Sequence, residues 1–159
     1  LDLSAVELRV RGLVRALHPD RFHLDGPQAV ADAERHTALV NDAWRTLRDP
    51  DRRVAWLLDH LGQPCTSLPP AQALKAFERN ELLDDAAADP LGFASQLADL
   101  RTELRAERQQ RCADLTIASS RYDAAQDAND ADSVAGAVSK LRELLAIAPT
   151  LDNLLARLG

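Results

Sequence analysis

The residues best equipped for chemistry are gathered in one short stretch, His18-Pro19-Asp20-Arg21-Phe22-His23. Two imidazoles, a carboxylate and a guanidinium this close together could ligate a metal, relay a proton, or present charge to a partner. As metal ligands, His18, Asp20 and His23 would need His36 or His60 to complete a set. None of these forms an i,i+4 helical pair or any compact ligand spacing, and a surface turn offers no dry pocket. The chain also has no Gly-rich phosphate loop, no Gly-x-Ser-x-Gly and no paired-carboxylate motif. Cys65 and Cys112 stand far apart, with no CxxC and no His/Cys cluster, and read as idle or buried thiols of a reducing compartment. None of these patterns supports an enzyme, so no enzyme, no metal and no cofactor is expected.

The elements that must position this stretch are helices. Leu3, Val6, Val10, Leu13 and Leu17 alternate three and four apart, which places them on one helical stripe. Pro19 disfavours helical geometry at the residue before it and stops this helix at Leu17 or His18. Pro27, after Gly26, starts a second helix with the stripe Val30, Ala33, Thr37, Val40, Trp44 and Leu47, ended by Asp49-Pro50. A shorter third helix carries Val54, Leu57, Leu58 and Leu61. The plainer reading of His18-Pro19-Asp20 is a helix C-cap, a stop and a turn. Arg11 and Arg15, however, lie four apart opposite the apolar stripe and form a cationic strip leading up to it.

Residues 62–70, rich in Pro, Gly, Ser and Thr, form the clearest boundary. Three helices follow: one over about 71–88, closed by Asp89-Pro90; a long one from Leu91 to about Ala128; and a last one capped at Asp132-Ser133, with Val134, Val138, Leu141 and Leu145 on one stripe. Pro149 is expected to kink or interrupt it. Short connections between three helices imply a bundle.

The net charge of −6 is concentrated in the second half: residues 1–61 carry 9 Lys/Arg against 10 Asp/Glu, residues 62–159 carry 10 against 15. An acidic chain argues against nucleic acid as a partner. No apolar stretch approaches the roughly 20 residues a bilayer span needs, so no membrane partner is expected. No secretory signal is read, although the chain does not begin with Met and its natural start can lie upstream. A cytoplasmic location is the expectation.

Taken together, a helix with a basic outer face, the His18-Pro19-Asp20 turn, Phe22, and a Pro27-started antiparallel helix ending in Asn41-Asp42-Ala43-Trp44-Arg45-Thr46-Leu47-Arg48-Asp49-Pro50 resemble a J-domain. Beyond it, Arg52-Arg53-Val54-Ala55-Trp56-Leu57-Leu58, the helix Leu74-Lys75-Ala76-Phe77-Glu78-Arg79-Asn80-Glu81-Leu82-Leu83-Asp84 and Lys140-Leu141-Arg142 are similar to the HscB co-chaperone family. The resemblance spans essentially the whole chain, with softer motifs after residue 90. It implies an all-α fold, with a J-domain helical hairpin at 1–61, a linker at 62–70 and a C-terminal three-helix bundle at 71–159 that binds a scaffold. The short helix that opens a J-domain is not in this sequence, which begins at Leu1-Asp2; it has been removed or belongs upstream.

The resemblance further implies an adaptor that stimulates the ATPase of an HSP70-class (HscA-like) chaperone and delivers an iron–sulfur cluster scaffold protein (IscU-like) to it. His18, Pro19 and Asp20 would be essential, with Asp20 meeting an Arg of the ATPase, and Arg11, Arg15 and Arg21 would supply electrostatic complementarity. Leu74, Phe77, Glu78 and Glu81 share one helix face at i, i+3, i+4 and i+7, while Ala76, Leu83 and Ala87 on the other side suffice for packing. An exposed apolar pair ringed by carboxylates is how a protein contact is built, and this face would bind the scaffold. Ala73 and Glu143 stand where the family often has an apolar residue and an aromatic, so the scaffold site can be smaller or shifted. Two other readings stay open: a J-domain co-chaperone for other clients, and a purely structural helical adaptor.

Overall fold

The computed structural model describes residues 1–65 and 67–159; Thr66, in the segment expected as a linker, lies outside the described residues. Among the described residues the chain is all α: α1 (Leu3–Ala16), α2 (Pro27–Arg48), α3 (Pro50–His60), α4 (Pro70–Ala88), α5 (Ala94–Asp127) and α6 (Ala131–Arg157), with two 3₁₀ turns between α1 and α2. It divides into two compact units, Leu1–Trp56 and Leu57–Gly159. The division falls within α3, ahead of the segment 62–70. That segment lies with the second unit, where the Cys65 thiol donates to the Arg142 carbonyl of α6 at 3.4 Å.

In the first unit α1 and α2 pack as a hairpin. Asp2 caps α1 by accepting the Ser4 and Ala5 amides at 3.0 and 3.1 Å. Val6, Val10 and Leu17 of the expected stripe are half-buried, but Leu3 and Leu13 remain exposed. On α2, Ala33 is buried, and Val30, Thr37, Val40, Trp44 and Leu47 are half-buried around it. Asp49 caps α3 through the Asp51 and Arg52 amides. Arg53 donates to the Leu47 carbonyl at 2.5 Å, satisfying one orphaned acceptor at the end of α2.

In the second unit Leu83, Leu100, Leu104, Leu151 and Leu154 form a core in which α4 meets α5 and α6. Farther along the α5–α6 pair, Leu115, Ala118, Tyr122 and Ala125 are buried, as are Val138, Leu141 and Leu144. Three expectations are corrected here. The long helix begins at Ala94 rather than Leu91, because the Asp89 carboxylate accepts the Gly92 amide at 3.1 Å and folds residues 90–93 into a turn. The cap of α6 is Asp130, not Asp132-Ser133. Its carboxylate accepts the Ser133 amide at 3.2 Å and the Ser133 hydroxyl at 2.6 Å, bonds that hold it below the usual aspartate range. And Pro149 does not interrupt α6. A mid-helix proline costs about 3 kcal/mol, but Pro149 stands on the exposed side while Ala148, Leu151 and Leu154 are buried, and their packing holds the helix through it.

Candidate binding surfaces

The His18-Pro19-Asp20 turn is built by what α1 cannot do. Leu17 closes the helix by donating to the Leu13 carbonyl at 2.9 Å, and His18, pushed to ψ 130° by Pro19, leaves it. Pro19–Arg21 then forms a single 3₁₀ turn, with the Arg21 amide on the His18 carbonyl at 3.0 Å and the Phe22 amide on the Pro19 carbonyl at 2.9 Å. His18 Nδ1 accepts the Asp20 amide at 3.3 Å. The Asp20 carboxylate lies 3.4 Å from His18 Nδ1 and 3.8 Å from His23 Nε2 and is mostly exposed. His18, Asp20 and His23 are thus brought together, though no group of three or more His, Cys, Asp or Glu among the described residues is arranged to hold a metal ion. Gly26, at φ 97°, turns the chain into α2, a conformation that L side chains rarely adopt.

The cations near this turn differ in their freedom. Arg11 is bound to Glu7 of its own helix at 2.6 Å, so part of its charge is already compensated. Arg15 and Arg21 are exposed and pair with no anion among the described residues. The cationic strip is therefore weighted toward its end at the turn.

On α4, Leu74 and Phe77 are each 60% exposed, and Glu78 and Glu81 are exposed beside them. The inner side packs through Ala76, Leu83 and Ala86. Ala87, expected to share that role, is exposed; Ala86 takes its place. The helix is fixed from behind by ions. Arg79, its side chain only 11% exposed, donates to Glu107 at 2.7 and 2.9 Å and to Glu103 at 2.7 Å, both on α5. Arg157 of α6 reaches Asn80 and Asp84. Glu78 and Glu81 have no cationic partner among the described residues, so their charge is available to an outside partner. On α6, Glu143 is tied to Lys140 at 3.0 Å.

No family model matches the chain. It is 32% identical over 120 residues to the co-chaperone protein HscB homolog of Bordetella pertussis, covering 72% of this chain and 70% of that one. It is 33% identical over 151 residues to the homolog of Cupriavidus taiwanensis, covering 89% and 78%. The chain belongs to the HscB co-chaperone family. Its fold is also similar to that of the chaperone HscB from Vibrio cholerae, with a TM-score of 0.61 at 23% identity over 100% of this chain and 92% of that one. The HscB relatives are named as co-chaperones and not as enzymes. No helix among the described residues is long and apolar enough to cross a membrane.

Two features of the chain were not legible as parts of a site. Thr37 reads as one position of the α2 stripe, yet its hydroxyl donates to the Leu17 carbonyl at 3.0 Å, directly before the turn. Arg79 reads as one cation of a charged motif. The only sequence signal of its role is that Glu103 and Glu107 stand four apart on α5.

The Arg79 clamp is expected to make the second unit sensitive to acid. The hydrogen bonds from Arg79 hold the Glu107 carboxyl below the usual glutamate range against the opposing effect of burial, with the charges of Arg79 and Lys75 adding to the shift. Because the folded value is depressed, the contribution is complete at neutral pH. It is lost as pH falls through the ordinary glutamate value, about 4.3, to below the folded one. The partner shift, Arg79 raised chiefly by Glu107, withdraws nothing until far into alkali. Thermal melts from pH 7 to pH 3 are expected to show a smaller loss of stability in Glu107→Gln than in the unmodified chain. Parallel curves would mean that the clamp does not couple stability to pH.

Proposed function

We propose that the chain stimulates the ATPase of an HSP70-class (HscA-like) chaperone through His18, Pro19 and Asp20, and brings to it an iron–sulfur cluster scaffold protein (IscU-like) held on α4. The first unit acts as the J-domain and the second as the scaffold-binding domain. The observation that carries this reading is the His18-Pro19-Asp20 turn. It presents an exposed carboxylate and an exposed imidazole near Arg15 and Arg21, cations that pair with no anion among the described residues, with Arg11 farther back on α1. Asp20 meets a cation of the ATPase, and the arginines govern encounter and register. The scaffold docks on Leu74 and Phe77 inside the rim formed by Glu78 and Glu81. The chain has no reaction of its own in this scheme; it alters a reaction in its partner's active site.

A single-turnover ATPase assay tests the proposal. Adding the chain is expected to raise the chaperone's hydrolysis rate, and adding the scaffold together with the chain to raise it further. An unchanged rate with the chain alone would leave the structural-adaptor reading. A rise that the scaffold does not enhance would point to a J-domain co-chaperone for other clients.

A further inference from the structure

We infer that Thr37 is a positioning residue for the His18-Pro19-Asp20 turn: its hydroxyl holds the Leu17–His18 peptide to α2 and so sets where the turn stands. The inference rests on the function proposed above and concerns how that turn is kept ready for a partner.

The end of α1 leaves the Leu17 carbonyl without its ordinary acceptor role. In a continuing helix it would receive the Arg21 amide, but that amide is taken by the His18 carbonyl at 3.0 Å. Half-buried Thr37 of α2 fills the gap at 3.0 Å from 20 residues away. This is not what helical hydroxyls do by default. Thr102, Thr116 and Ser120 of α5 each donate to the carbonyl four residues back on their own helix, at 3.0, 3.0 and 3.1 Å. Thr37 instead spans two helices, at the last peptide before the turn.

The consequence for the turn is mechanical. The two 3₁₀ turns after Leu17 are held by local amide–carbonyl bonds and by the His18 Nδ1 contact. Among the described residues, no side chain in 18–25 donates to or accepts from a helix. The polar link that ties this loop's entrance to α2 is therefore the Thr37–Leu17 bond. Both turns also pack against α2, with Pro19 and Phe22 half-buried. Without the bond, His18 and Asp20 therefore keep their own chemistry and stay near α2, but are held less firmly relative to the hairpin whose arginines approach the same partner.

Thr37→Val keeps the shape and removes the hydroxyl, whereas Thr37→Ser keeps the hydroxyl and removes the methyl. In the free full chain, amide exchange at Asp20, Arg21 and Phe22 is expected to quicken by about 2- to 10-fold in Thr37→Val, the effect of one hydrogen bond on a local opening. Thr37→Ser is expected to restore the original rates, and amides in the middle of α2 to be little changed in either variant. In the ATPase assay, maximal stimulation is expected to fall several-fold in Thr37→Val and to recover in Thr37→Ser. Unchanged exchange in the turn, uniform quickening along all of α2, or full stimulation by Thr37→Val while His18→Gln is inactive would each overturn the inference. Full stimulation by His18→Gln itself would instead remove the function on which it rests, while the exchange data on the free chain still decide whether Thr37 holds the turn.

Discussion

Replacing His18 by Gln, or Asp20 by Asn, is expected to abolish stimulation of an HSP70-class ATPase while leaving helicity and melting nearly unchanged. The stability half of this expectation follows from the turn's exposure. The His18 and Asp20 side chains are 51% and 73% exposed, and among the described residues the one hydrogen bond either makes with the backbone is a 3.3 Å contact from the Asp20 amide to His18 Nδ1. Surface substitutions of this kind shift stability by no more than about 0.5 kcal/mol. The functional half follows from what each change removes. Asp20→Asn keeps the shape but loses the charge proposed to meet a cation of the ATPase. His18→Gln replaces the rigid, flat imidazole with a flexible amide. Circular dichroism and a melt on each variant, followed by the ATPase assay, separate the two halves. A folded variant that still stimulates would sink the J-domain role of this turn. Raised salt is expected to weaken the unmodified chain's effect, since the arginines are exposed and screened. Arg15→Ala is expected to weaken it more than Arg11→Ala, because Arg11 already shares its charge with Glu7.

The second large effect is expected on α4. Leu74→Ala with Phe77→Ala is expected to lower affinity for the scaffold by more than about 30-fold, the equivalent of 2 kcal/mol at a buried contact residue. It is expected to leave the bundle's melting temperature almost in place. A fully buried Leu or Phe costs about 2–5 kcal/mol on truncation to Ala, but these side chains are 60% exposed and the core of the unit lies on the other side of the helix. Basal ATPase stimulation, which depends on residues 18–20, is expected to persist; only the extra stimulation produced by the scaffold disappears. Glu78→Lys with Glu81→Lys is expected to act likewise by reversing the uncompensated rim charge. Calorimetric titration with the scaffold and a melt of the same sample check both halves. Unimpaired binding by the double alanine variant would require the scaffold face to be moved elsewhere on the chain.

Much of this molecule could be read before any coordinates. Prolines at 19, 27, 50 and 70 stop or start helices by fixed backbone sterics, so the order of the helices and the place of the turn follow from local chemistry. The same local rules mislead where two neighbours compete for one role. Asp130 and Asp132 are both fit to cap α6, and Asp130 does so because Asn129, at φ 52°, has already closed the turn from α5. Pro149 ought to break a helix, and the burial of Ala148 and Leu151 beside it overrides that preference.

The sequence by itself determined the all-helical class, the His18-Pro19-Asp20 turn and the motifs that resemble HscB, because these depend on residue type, spacing and backbone preference. The tertiary structure decided which stripe of each helix is core and which is surface. Leu74 and Phe77 repeat at the same helical interval as Ala76, Leu83 and Ala86, and a period of three and four is identical for a buried face and an exposed one. Only the position of α5 and α6, held to α4 by Arg79 and Arg157, turns the first pair outward. The Thr37 bond to Leu17 belongs to the same class: a hydroxyl can bond its own helix or its neighbour's, and only the packing of α1 against α2 chooses between them.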